Sequence, residues 1–352
     1  MPFGAFMQMA LYHPRHGYYS GGRERTGWGG HFVTSPELSP AFGALWARGF
    51  EKVWAMLGSP REFTVVEVGP GEGGFAEAVL SGASGAFASA LRYLLVERVA
   101  GVAERQASRL SGRAVEWSSS VGEVPRCGAG VVFANEVLDN LPVHVVERRD
   151  GELLEVCVDV GGGRLAETLR PPAGGELAAW LERAGAEVPD GHRFEVTMAA
   201  ESFVRRCAAI VETGAVVFVD YGAESSELMT RPRGTLVAYS AGGASEDLLA
   251  RPGEQDLTAH ANWTVVRQTC ESLGLSVRGP IPQREALLAL GAREAAADLR
   301  AEHSRAAAEG RGADAVRALS RRSALGAVLD PGGLGGLGVL TATKGIEPDA
   351  LL

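Results

Sequence analysis

The stretch VVEVGPGEGG, residues 65–74, constrains this chain more than any other. An apolar run broken by one acid, Glu67, ends in Gly69, Gly71 and Gly73, and Gly74 follows. A strand that enters a glycine turn and then a helix opens a βαβ unit. Glycine there lets the backbone approach a ligand with no Cβ in the way. Two patterns fit at once. Gly69-x-Gly71-x-x-Gly74 is a dinucleotide fingerprint, and Gly69-x-Gly71-x-Gly73 fits equally well. The glycines alone do not choose a ligand.

The rest of the chain alternates in the same way. TSPELSPAFGALWARGFEKVWAML (34–57) reads as a helix with Ser35 as N-cap, Pro36 at its first position and Glu37 in its first turn. FTVVEVG (63–69) is a strand, helices follow near 74–81 and 84–91, and RYLLVERV (92–99) is an apolar run reaching Glu97. GVVFANEVLDNLPV (130–143) carries a buried strand that ends in a polar cluster, and 143–160 reads as a hairpin turning at Asp150-Gly151. Residues 161–198 are mixed, with one short helix near 175–184. Helix 199–212 leads into GAVVFVDYG (214–222), a buried strand with Asp220 near its end. RGTLVAY (233–239) reads as a strand, residues 283–325 as two or three Ala-rich helices, and 335–345 as a last strand. Buried strands alternating with helices give an α/β fold, a mainly parallel sheet with helices on both faces. Ligands of such sheets sit beyond the carboxyl ends of the strands at a topological switch point. The polar strand ends here are Gly69–Gly74, Glu97, Asn135–Asp139 and Asp220.

At 46% hydrophobic and 22% charged, the 352 residues can bury a sizeable core. The net charge of −9 disfavours a nucleic-acid partner, which needs clustered Lys and Arg. Cys127, Cys157, Cys207 and Cys270 form no C-x-x-C pair, so no metal site is expected and a reducing compartment suits them. No apolar run approaches the roughly 20 residues that span a bilayer. MPFGAFMQMALYHP lacks a basic, then apolar, leader pattern. The expected location is cytoplasmic, with no membrane partner; a homodimer is left open.

Glu67 narrows the ligand. A carboxylate beside a pyrophosphate would be repelled, so NAD or FAD is not its natural partner. S-adenosylmethionine carries a sulfonium, an ammonium and no phosphate, and those cations give a buried acid a reason to be there. The alternative is a buried acid satisfied by loop amides or an Arg. Glu97 ends the next strand, where an acid accepts hydrogen bonds from ribose hydroxyls; a solvated strand-end acid is the competing reading.

Taken together the motifs resemble the MidA-type S-adenosylmethionine-dependent methyltransferases, which include the mitochondrial complex I assembly factor 7 type. The matching stretches are LYHPRHGYYS (11–20), FVTSPELSPAFG (32–43), VEVGPGEGGFAEAVL (66–80), FANEVLDNLPV (133–143), VDYG (219–222), RGTLVAY (233–239) and PGEQDLTAHANW (252–263), in family order. The resemblance implies a class I (Rossmann-like) methyltransferase core over 61–345 and an N-terminal helical lid over 1–60. It places inserted or peripheral substrate-side regions at 144–200 and 240–330. It implies S-adenosylmethionine held by Glu67, Gly69, Gly71, Gly73, Glu97 and Asn135, with Thr34, Ser35 and Glu37 closing over it. It also implies methylation of an arginine in a partner protein. The sequence departs from the family at His31, at SAGGASED (240–247) and at GLGVL in the last strand.

A guanidinium is always charged and delocalised, and carboxylates hold it bidentately. The segment NEVLDN (135–140) offers Glu136 as the orienting acid, Asp139 second, and Asn135 as a neutral partner; Asp220 comes third. The competing reading has Asn135 and Asp139 capping the following turn. His260 reads as a structural hydrogen-bonder, and Tyr18 and Tyr19 as pocket-lining or packing residues. Methylation of a small molecule, or an assembly protein that keeps the cofactor with little catalysis, are the alternative functions.

Overall fold

The computed structural model describes residues 1–21, 34–348 and 351–352. They group into two compact units: the described parts of 25–135, 207–219 and 274–352, called the sheet unit here, and those of 1–24, 136–206 and 220–273, the second unit. His31 and the first residues of the FVTSPE stretch lie outside the described residues.

Among the described residues, seven strands build the sheet unit: β1 (Phe63–Val68), β2 (Leu91–Val96), β3 (Val115–Ser118), β4 (Cys127–Asn135), β5 (Val211–Asp220), β6 (Ser276–Pro282) and β7 (Gly338–Lys344). Their order is β3-β2-β1-β4-β5-β7-β6. The pairs β1–β2, β1–β4, β2–β3 and β4–β5 are parallel, and β6–β7 is antiparallel. β1 lies between β2 and β4, so the order reverses there and the turn after β1 opens at a switch point. Val65, Val66, Glu67 and Val68 are all buried, so both faces of the sheet are covered, as a parallel sheet requires.

Helix α1 (Pro40–Met56) supplies Phe42, Trp46 and Phe50 to the core. Helix α2 (Gly74–Gly82) adds Phe75, stacked on Phe133 of β4 with ring centroids 4.4 Å apart. The helix expected to run on from Ser35 is broken. Ser39 is extended (φ −143°, ψ 116°) because a residue before proline is pushed out of the helical region. A short helix Ser35–Leu38 precedes the break, and Thr34, not Ser35, is its N-cap.

Residues 240–330 were expected at the periphery. Of these, 274–330 instead belong to the sheet unit, where Ala286, Leu287, Leu290, Ala292, Leu299, Leu325 and Val328 join the main core. Ala-rich helices carry little visible periodicity, so their packing face was hidden. The 1–60 segment is likewise divided between the two units.

In the second unit the expected hairpin forms. Asp150 (φ 52°) and Gly151 (φ 81°) both take the left-handed region that a two-residue hairpin turn favours. Residues Arg164–Arg170 and Arg193–Val196 extend it to a four-stranded antiparallel sheet. Leu177, Trp180 and Leu181 of the helix Glu176–Arg183 cluster with Val146, Phe194 and Val196. The strand read at 233–239 is shorter, Val237–Ser240. The amides of Thr235 and Leu236 donate to the buried Glu195 carboxylate and so are not free for a ladder. The 240–247 departure lies on this strand and its hairpin partner Gly243–Ser245.

Gly130 of β4 pairs with Gly214 of β5. A Cβ on Gly214, whose φ is 132°, would run into the Gly130 carbonyl, and one on Gly130 into the Thr64 carbonyl. Gly214→Ala is therefore expected to cost roughly 1–3 kcal/mol in urea unfolding. Gly101→Ala, on an open helix surface, should stabilise by roughly 0.5–1 kcal/mol.

Candidate active site

The turn after β1 is set by backbone conformation. Gly69, Gly71 and Gly73 have φ of 67°, 52° and 81°, where an L side chain is strained. Gly73 is the N-cap of α2, so the turn runs straight into a helix N-terminus. Helix α3 (Ala100–Arg109) grips this turn. Arg105 Nε and Nη2 donate to the two Glu72 carboxylate oxygens at 3.0 and 2.8 Å, and Gln106 Nε2 donates to the Gly71 carbonyl at 2.7 Å. From the other side, a Cβ on Gly71 would sit 3.9 Å from Glu37 Oε1.

Glu67 is 4% exposed and accepts a 2.7 Å hydrogen bond from the Tyr93 hydroxyl. Its observed partner is neither an Arg nor a loop amide. Burial raises the carboxyl to about 8, against a smaller lowering by Tyr93, so it is mostly protonated at neutral pH. Glu97, just past β2, is half-buried; it accepts from the Val99 amide at 2.8 Å and from Gln106 Nε2 at 3.3 Å. Burial raises its carboxyl too, partly offset by these bonds. Thr34 is half-buried at its N-cap. Ser35 is fully buried, and its hydroxyl pairs with the Gln283 side-chain amide, whose nitrogen donates at 2.9 Å. This turns the Ser35 side chain into the core, against the cofactor-closing role expected of it.

Asn135 closes β4 and is the last residue of that stretch of the sheet unit. The second unit holds the other candidates, beginning with Glu136 at φ 53°, a left-handed conformation costly for a non-glycine residue. Asp220 explains how that conformation is held. Its Oδ2 accepts from the amides of Val137 (3.0 Å), Leu138 (2.8 Å) and Asp139 (3.4 Å), and its Oδ1 from the Tyr221 amide (2.8 Å). Asp220 is fully buried; burial raises its carboxyl to about 7 although these amides pull it down. It is the anchor of the 136–139 loop, so the third-ranked catalytic candidate is corrected to a structural role.

Asp139 is different. It is 6% exposed, and its Oδ1 has no hydrogen-bond partner among the described residues. Burial, then Asp220, Asp256 and Glu136, push its carboxyl well above the usual range. The carboxyl also accepts from the Asn140 amide, which lowers it slightly, so a local turn bond stands beside the open Oδ1. Asp256, missed as a site residue although it stood inside the DLTAHANW motif, accepts from Tyr19 Oη (2.9 Å) and Asn140 Nδ2 (3.0 Å). Tyr12 donates to the Asn140 carbonyl at 3.0 Å and stacks on Tyr19 with centroids 5.6 Å apart. Tyr19 is thus tied to the acid cluster, while Tyr18 is fully buried. The usable signal was the pairing of two polar-aromatic motifs at opposite ends of this unit's sequence. Burial lowers the His260 imidazole, and its ring Nδ1 is buried without a hydrogen-bond partner among the described residues, so the ring does not make through that nitrogen the structural hydrogen bond expected of it.

Crowded carboxylates cannot all ionise without a compensating cation, and a planar guanidinium is the shape that satisfies several at once. Among the described residues no group of His, Cys, Asp and Glu suits a metal ion.

The parallel sheet with its switch-point glycine turn defines a Rossmann-like α/β methyltransferase that uses S-adenosylmethionine. A profile described as S-adenosyl-L-methionine-dependent methyltransferase, Methyltransf_28, matches residues 45–281, and the chain belongs to that family. It is 27% identical over 318 residues to a Xenopus tropicalis protein named protein arginine methyltransferase NDUFAF7, mitochondrial, covering 81% of this chain and 71% of that one. The Homo sapiens protein of that name is 28% identical over 321 residues, covering 81% and 69%. A COG1565 superfamily member from Burkholderia thailandensis, crystallised with S-adenosyl-homocysteine, is 30% identical with a TM-score of 0.86, covering 99% of this chain and 88% of that one.

The raised Glu67 carboxyl fixes a pH dependence. Its proton is kept to about pH 8 in the folded chain and lost near 4.5 in the unfolded one, so its contribution to stability is lost as pH rises through that window. Urea unfolding of the cofactor-free protein should show stability falling between pH 5 and 8.5, and Glu67→Gln should flatten that fall. An equally steep profile in the variant would assign the slope elsewhere.

Proposed function

We propose that the chain transfers a methyl group from S-adenosylmethionine to an arginine side chain of a partner protein. The observation that carries this is Asp139: a buried carboxyl with one oxygen unpartnered among the described residues, ringed by Asp220, Asp256 and Glu136. The names of the relatives favour the same acceptor.

The residues present fit the cofactor. Three left-handed glycines keep Cβ atoms off alternate positions of the turn, and an acid stands at the end of the adjoining strand. Gly69, Gly71, Gly73, Glu97, Thr34, Glu37 and Asn135 would hold it, and when bound it supplies an electrophilic methyl group; Glu67, protonated and bonded to Tyr93 in the free chain, would join them only by ionising against the ligand's cation. The chain's own part is to hold the acceptor. Glu136, fixed by the Asp220-anchored loop, orients the guanidinium; Asp139 offers its open oxygen to a guanidinium N–H. As the new N–C bond forms and the methyl–sulfur bond breaks, the nitrogen sheds a proton, and Asp139 receives it. The guanidinium keeps its single positive charge. Alignment of the acceptor is the main contribution expected of such carboxylates.

The free cysteines suit a reducing compartment, and no helix among the described residues is long and apolar enough to cross a membrane. The cytoplasmic placement read from the sequence is at odds with relatives named as mitochondrial and rests on the sequence alone.

Labelled methyl transfer into fractionated cell extract tests the proposal. The label is expected in protein and, after hydrolysis, in methylarginine. Asp139→Asn and Glu136→Gln should each lower transfer by about 100-fold, with S-adenosyl-homocysteine affinity by calorimetry held within about twofold. Label confined to small molecules would sink the arginine reading. Undiminished transfer by Asp139→Asn would remove that residue from the site.

A further inference from the structure

Gln106 is a polar side chain in an unexpected place. Helix α3 carries no large apolar residue in its buried face, and the residue it buries completely is this glutamine. The amide is fully used. Nε2 donates to the Gly71 carbonyl (2.7 Å) and to Glu97 Oε2 (3.3 Å), while Oε1 accepts from Trp117 Nε1 (3.0 Å). Its orientation is fixed by chemistry, since the carbonyl and carboxylate only accept and the indole only donates. The stem packs beneath the turn as well: a Cβ on Gly73 would lie 3.5 Å from Gln106 Cγ. One side chain therefore touches two of the three left-handed glycines, the acid after β2 and the indole on β3.

We propose that Gln106 is a positioning residue for S-adenosylmethionine, locking the glycine turn and Glu97 into one arrangement, with Trp117 as the brace that holds its amide in register. The proposal rests on the reading of the glycine turn and Glu97 as the cofactor's side of the protein. Glutamate at position 106 would keep the shape and reverse the chemistry: a carboxylate would face the Gly71 carbonyl and Glu97, both acceptors. A simple core-filling role would tolerate that change in ligand affinity, while a positioning role would not.

The test is calorimetric titration of S-adenosyl-homocysteine into the full chain between pH 5.5 and 8.5. Wild type should bind throughout. Gln106→Glu should bind about tenfold more weakly at pH 8 and recover toward wild type at pH 5.5, where the introduced carboxyl regains a proton to donate. Trp117→Phe, which removes the brace alone, should weaken binding by about threefold at every pH and carries the test if the first variant does not fold. Wild-type affinity in both variants would overturn the role of Gln106 and leave the cofactor reading standing. Failure of the wild type itself to bind would overturn both.

Discussion

Three consecutive amides, of Val137, Leu138 and Asp139, converge on one oxygen of Asp220, and the geometry of the 136–139 loop depends on that convergence. The amides of a turn leaving a buried strand need acceptors, because an unpaired buried N–H costs free energy comparable to a lost hydrogen bond. A carboxylate meets several at once. The same grip holds Glu136 in a left-handed conformation that a free loop would leave. It also brings the Asp139 carboxyl close enough to Asp220 for their charges to interact.

Four of the buried acids among the described residues illustrate three regimes. Glu195 and Asp220 are surrounded by backbone donors and serve structure. Glu67 has a tyrosine hydroxyl and a proton of its own. Asp139 keeps an oxygen without a partner among the described residues. What distinguishes an anchor from a site is hydrogen-bond saturation, since all four are buried alike.

The sequence displayed the sheet and the glycine turn because both are local. Strand periodicity, φ-demanding glycines and the Asp150-Gly151 turn are written in neighbouring residues. The short strand β3 and the strand β6 escaped notice, as they lack a strong apolar pattern and are defined by what they pair with. Glu136 and Asp139 could be nominated from the strand-end cluster. Asp220 could be nominated too, but its anchoring role needs the distance to amides some 80 residues away in sequence. The bonds of Gln106 were hidden for the same reason, and those of Asp256 were signalled only by the motif it stands in. Each acts through partners brought near only by folding. Ser35 was misassigned because a serine before a proline is a good cap signal, and nothing nearby announces Gln283.

The unpartnered Asp139 oxygen has a further consequence. In the free protein, like charges crowd a low-dielectric volume and weaken the fold that holds them. An amide in place of that acid would relieve the repulsion and raise thermal tolerance. Under the proposed role of Asp139, selection for robustness and selection for turnover pull this one position in opposite directions.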